Sequence, residues 1–155
     1  MKVSTLAGSG TSGFNDAQGA AALFNKPSGI ALDRNGNLYV ADILNHRIRK
    51  IDVDGQVTTL AGSGTAGFAN GSGAVAQFSQ PSGVAVDASG NVFVADAWNH
   101  RIRKIDDSGT VTTFAGSGSR DSVDGHQTSA AFDAPLTLPW IPLATSMLQT
   151  DSTTR

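Results

Sequence analysis

The string "NHRIRKID" stands at residues 45–52 and recurs unchanged at 99–106, an offset of 54 residues. The same offset links "VSTLAGSGTSGF" at Val3 to "VTTLAGSGTAGF" at Val57 and "VTTFAGSGS" at Val111. Phe24, Phe78 and Phe132 keep it, as do Pro27, Pro81 and Pro135. A chain with such a period is a tandem array whose units bury their apolar faces on one another. Two units are complete. The third begins in register and departs after Pro135, where "LTLPWI" replaces the "SGIALD" and "SGVAVD" of the earlier units.

Turn chemistry divides each unit into four short strands. In the first unit they are expected at 29–33, 37–42, 46–52 and 57–61. The "DRNG" and "VDG" segments between them offer the positive φ and side-chain capping that tight hairpins use. All 13 acidic residues are Asp, Gly is abundant, and Val, Ile and Thr fill the apolar runs, a composition poorly suited to long helices. "IAL", "LYVA" and "VTTLA" are apolar on alternate and adjacent positions, so both faces of the sheet are covered. A small four-stranded antiparallel meander buried on both faces and repeated in tandem predicts an all-β chain of β-propeller blades.

The expected organisation is a final strand and loop at 1–26, a first blade at 27–61, an inter-blade loop at 62–80 and a second blade at 81–115. The loop of a partial third repeat at 116–135 and a non-repeat tail at 136–155 follow. Three prolines within eight residues, Pro135, Pro139 and Pro142, would remove ladder donors where a strand should run, so loss of everything after Pro135 is expected to leave folding and assembly nearly unchanged. Within "NHRIRK", Ile48 and Ile51 are three apart, which a regular strand would send to opposite faces. A bulge near Arg49 or Lys50 would return both to the core. The arginine stems are then expected on neighbouring strands, their heads on carboxylates such as Asp42 and Asp52.

The pattern P-S-G-[IV]-A-[LV]-D-x-x-G-N-[LV]-[FY]-V-A-D-x-x-N-H-R-I-R-K-I at 27–51 and 81–105 resembles the NHL repeat. The flanking "AGSGTxGF" and "A-x-F-x-x-P" elements are similar to a bacterial variety of it. The resemblance implies a propeller, six-bladed in most members. Two blades leave two uncovered faces, so three chains are expected to close a six-bladed ring. Residues 3–7 and 111–115 would then compete for one fourth-strand position.

Several function classes are disfavoured. The chain has no cysteine, so thiolate metal sites and a Cys nucleophile are excluded. The net charge of −2 supplies no general attraction to nucleic acid or anionic membrane. Six of the eleven basic residues sit in the two "RIRK" strings, and some propellers of this kind bind RNA, but each string is followed by Asp52 or Asp106 and stacking aromatics are few. No run reaches a membrane-span length, the start of the chain lacks a signal-peptide core, and no compartment is indicated. Propeller lactonases and lyases hold a metal in the central channel, yet the first strands here offer only Asp33 and Asp87, which cap the following turn. "AGSGTSG" opens no helix and carries no phosphate-binding Lys. Neither a catalytic residue nor a cofactor or metal site is therefore expected.

Topology puts the hairpin between second and third strands on the same side as the long blade-to-blade loop. That side collects Asn15, Asn45, His46, Asn70, Trp98, Asn99 and His100, the expected binding residues for a protein or small ligand. Trp98, which replaces Leu44 at the hairpin tip, is the expected anchor.

Overall fold

The structure, a computed structural model, describes residues 1–136. Residues 137–155, nearly all of the expected tail, lie outside the described residues. No α-helix occurs among those described, only single 3₁₀ turns. The first sheet has strands β1 (Pro27–Leu32), β2 (Leu38–Asp42), β3 (Arg47–Ile51) and β4 (Val57–Ala61), in sequential antiparallel order. The second has β6 (Pro81–Val86), β7 (Val92–Asp96), β8 (Arg101–Ile105) and β9 (Thr110–Ala115), with the two-residue β5 (Gly71–Ser72) added outside β9. The β4–β6 connection supplies that extra strand, so the second sheet is five-stranded.

Turn residues set the strand ends. Asp33 Oδ1 accepts the backbone N–H groups of Asn35 and Asn37, which closes the β1–β2 turn, and Gly36 adopts φ +88° within it. Asp52 does the same for the β3–β4 turn through Asp54 and Gln56. Asp52 is therefore occupied with its own turn and holds no arginine, contrary to the expectation; Asp42 alone of the two does so.

The register slips between the Ile48 and Arg49 pairings, but the extra residue is Leu60 on β4, while β3 pairs with β2 in unbroken register, so the bulge expected in β3 near Arg49 or Lys50 is absent. As a regular strand, β3 sends Ile48 into the core between the sheets and Ile51 to the opposite face, where it packs with Ala22, Val40 and Val57, and both are buried because both faces of the sheet are covered. The same shift recurs between Ile102 and Arg103.

The main core lies between the sheets. Tyr39, Ala41, Ile48 and Ala61 meet Val84, Val86, Val92, Val94, Ile105 and Val111, with Ala76 and Phe78 of the connecting loop inserted among them. Smaller clusters cover the two outer faces. Ala22 packs with Val40, Ile51 and Val57, and Ala7, Ala17 and Phe24 lie against them. At the other end Ala130 and Phe132 pack on Ala95, Ile102 and Ala115. Residues 3–7 form no strand, and of them only Ala7 packs against a core cluster.

Candidate functional site

Each β2–β3 hairpin turns through a 3₁₀ turn that ends on a histidine in the left-handed region, His46 or His100, both at φ +52°. A non-glycine residue there carries some strain, which the surrounding structure must hold. His46 Nδ1 accepts the backbone N–H of Gln80 at 3.2 Å, and His100 Nδ1 accepts that of Ala134 at 3.0 Å. The histidines thus tie the hairpin to the entry of the next repeat. Burial holds the His46 imidazole below its ordinary value, with Asp96 opposing and Arg47 reinforcing the shift.

The asparagines at the tips are tied in the same way. Asn45 Nδ2 donates to Gly13 O and Asp42 Oδ2, both at 2.8 Å. Asn99 Nδ2 donates to Gly67 O at 2.7 Å and Asp96 Oδ2 at 2.8 Å. Hairpin tip and long loop therefore stand together on one side of each sheet.

Beneath each tip lies an arginine with no exposed surface. Arg49 spends all five N–H donors: Nη1 on Asp42 Oδ2 (2.7 Å) and Leu23 O, Nη2 on Asp16 Oδ1 (2.6 Å) and Asn15 O, Nε on Asp16 Oδ1. Its guanidinium also sits over the rings of Phe14 and Phe24, at 4.8 and 4.9 Å. A buried charge satisfied in this way cross-links the hairpin, the loop and the sheet.

The second repeat repeats the arrangement with one change. Arg103 donates to Asp96 Oδ2 at 2.7 Å, but the place of Asp16 is taken by Asn70, whose Oδ1 accepts from Nη2 at 2.8 Å. Asp16 also binds the N–H and hydroxyl of Thr59. Asn70 makes neither of the matching contacts, and Arg103 Nε and Thr113 Oγ1 are buried with no partner. Burial pushes the Arg103 guanidinium below and the Asp96 carboxyl above its usual range. The Asp16–Asn70–Asp124 series, spaced by the repeat, was the signal in the sequence for this partner.

Of the expected binding residues, Asn15, Asn45, His46, Asn70, Asn99 and His100 all place a side-chain atom or a backbone carbonyl in these internal links. Trp98 differs. Its backbone N–H is bound to Ser79 O, while the residue is 66% exposed. Phe68 is exposed on the adjoining loop and carries the Arg101 guanidinium 4.0 Å from its centroid. Among the described residues no three His, Asp or Glu side chains converge as metal ligands would.

The opposite rim is a row of aspartate-closed turns. Asp33 Oδ2 accepts from Asn37 Nδ2 and from the Tyr39 hydroxyl. Burial and the Asp33 carboxylate together push that phenol up to about 12. Asp87 binds Ser89 and Asn91 alike, but Phe93 stands where Tyr39 does and brings no hydroxyl.

Residues 24–51 and 78–105, each a β1–β3 or β6–β8 unit with its leading phenylalanine, match the family model described as NHL repeat. The chain belongs to the NHL-repeat family. An NHL repeat-containing protein 2 of Bos taurus is 36% identical over 133 residues, which is 82% of this chain and 18% of that protein. The Arabidopsis thaliana protein SUPPRESSOR OF QUENCHING 1, chloroplastic, is 45% identical over 95 residues, 61% of this chain and 9% of that protein. The chain thus spans less than a fifth of the length of either relative. An auxiliary nutrient binding protein of Bacteroides thetaiotaomicron superposes with a TM-score of 0.64 over 80% of this chain and 33% of its own, at 23% identity, and so shares the fold. Some NHL-type relatives are named as enzymes, among them a probable peptidyl-alpha-hydroxyglycine alpha-amidating lyase of Caenorhabditis elegans. It is 37% identical over 94 residues, 59% of this chain and 25% of that protein.

Proposed function

We propose that this NHL-repeat chain is a two-bladed propeller scaffold, completed to a six-bladed ring by three chains, that binds a protein or small ligand through the rim bearing Trp98. The observation that carries the binding site is the exposure of Trp98 beside neighbours that are all engaged internally. Asn99, His100 and Arg101 hold their hairpin rigid through Asp96, Ala134 and Ser117, so the indole is presented on a preorganised support. Exposed aromatic area on a rigid tip binds at low entropic cost.

Nucleic acid is disfavoured as the partner, because Arg49 and Arg103 are consumed in buried ion pairs and cannot reach phosphates. The inner strands β1 and β6 bring forward no convergent ligand set, which favours binding over catalysis. The enzymes among the relatives keep a lyase-like activity as the second reading.

The test is a panel of peptides and small sugars titrated against the purified chain, read by tryptophan fluorescence and calorimetry. A ligand of the rim should lose about 2 kcal/mol on Trp98→Ala, close to thirtyfold in Kd. Ligands whose affinity ignores Trp98→Ala would remove the rim from consideration, and turnover of a peptidyl-alpha-hydroxyglycine or a lactone would replace the scaffold reading with the enzymatic one.

A further inference from the structure

The two outer faces of the chain are the two halves of its own internal interface. Between the sheets, Val84 and Val86 of β6 are 5% and 9% exposed, packed toward Tyr39, Ala41, Ile48 and Ala61. One repeat earlier, Ile30 and Leu32 occupy the same positions on β1 and are 59% and 62% exposed. One repeat later, the receiving positions recur as Phe93, Ala95, Ile102 and Ala115, the last three covered by the chain's own Ala130 and Phe132 as Ala76 and Phe78 cover their counterparts, which leaves the half-buried Phe93 and the exposed Phe114 at the surface. Phe93 and Phe114 make an edge-to-face pair at 5.0 Å on that surface. The donor face and the acceptor face therefore have the same chemistry, spacing and strand order as a contact the chain already makes.

A second, independent correspondence lies in the loops. Residues 8–24 carry Asp16 to Arg49, and residues 62–78 carry Asn70 to Arg103. Residues 116–132 follow the same path, with bridges Arg120–Phe132 and Val123–Ala131 matching Ser12–Phe24 and Asn15–Leu23. Asp124 stands in that loop at the position of Asp16. It is exposed and has no arginine among the described residues, because the arginine it matches would belong to the next repeat.

We infer that a second copy of this chain docks head to tail, laying its Ile30–Leu32 face on the half-buried Phe93 and the exposed Phe114, beside the chain's own Phe132. The 116–132 loop of the first copy takes the place of the 8–24 loop of the second, and Asp124 pairs with the second copy's Arg49 in place of Asp16. The exchange is needed because Phe24 and Phe132 fill one and the same slot in the repeat, as Phe78 does internally. The contact is heterologous, so it closes into a ring or grows, and never stops at a two-fold dimer. It underlies the ring proposed above but is independent of what the rim binds.

The experiment uses the full chain with one end blocked at a time. Light scattering of the unaltered chain at about 100 μM should give a mass three times the 15.9 kDa of one chain. Leu32→Asp and Phe114→Asp each change an exposed residue, so each variant should fold, by circular dichroism, and stay monomeric. Mixed, the two should form a one-to-one dimer and nothing larger, since each supplies the face the other has lost. Asp124→Asn should raise the concentration at half-assembly about tenfold, and Asp16→Asn should lower it by weakening the competing loop. A monomeric unaltered chain, or a mixture of blocked variants that stays monomeric, would overturn the proposal. Assembly that survives both blocks, or a symmetric dimer of either variant alone, would do so as well.

Discussion

Asp16 Oδ1 lies 2.6 Å from Arg49 Nη2, and the neutral Asn70 stands at the same place beside Arg103. One atom's difference between the repeats removes an ion pair and strands two buried polar atoms, Arg103 Nε and Thr113 Oγ1. An unsatisfied buried polar group costs about 1–3 kcal/mol. Asn70→Asp should therefore stabilise the fold by about 1–2 kcal/mol, trimmed by the partial exposure of that site in the first repeat. Asp16→Asn should destabilise by a similar amount. Urea unfolding of both variants checks this, and an Asn70→Asp protein that is native in its circular dichroism yet no more stable would refute it.

Glycine is required at Gly62 and only convenient at Gly10. Both have positive φ, +108° and +84°. A methyl group at Gly62 would stand 2.5 Å from His46 O and 2.9 Å from the Arg47 Cα, backbone that cannot retreat, whereas at Gly10 it would meet nothing within 4 Å. Gly10→Ala should cost the left-handed strain alone, about 1–2 kcal/mol. Gly62→Ala should cost several kcal/mol more or prevent folding, and Gly116→Ala should follow Gly62, since its methyl group would meet His100 O at 2.6 Å. Thermal unfolding orders the three; equal costs at Gly10 and Gly62 would contradict the packing argument.

His46 makes stability depend on pH in one direction. Its folded-state pKa is depressed, first by burial, below the ordinary value of 6.5, and its Nδ1 must stay unprotonated to accept from Gln80. As pH falls below about 6.5 the unfolded chain takes up the proton first, so the unfolded state binds more protons and is favoured. The contribution is whole above that pH and is lost as pH falls through the folded value. Urea midpoints taken between about pH 7.5 and 5 should decline, and His46→Gln should flatten the decline. An unchanged slope in the variant would assign the pH dependence to other groups.

The period of 54 residues and the strands of each repeat were legible in the sequence, because each rests on local physics. Asp33 and Asp52 close turns within four residues of themselves. The Ile48–Ile51 spacing misled, since β3 is a regular strand whose two isoleucines serve separate cores on its two faces. Partner choice was not legible in this way. Asp52 lies three residues from Arg49 and Asp16 lies 33 away, yet Asp16 holds the guanidinium because the fold brings the long loop across β3 while turn closure consumes Asp52. The same reason separates Ile30 from Val84, near-identical in sequence context but opposite in burial, since only Val84 has a preceding sheet to pack on. Local hydrogen bonding and side-chain periodicity are written into each repeat, whereas ion pairing and burial depend on which distant segment arrives beside it.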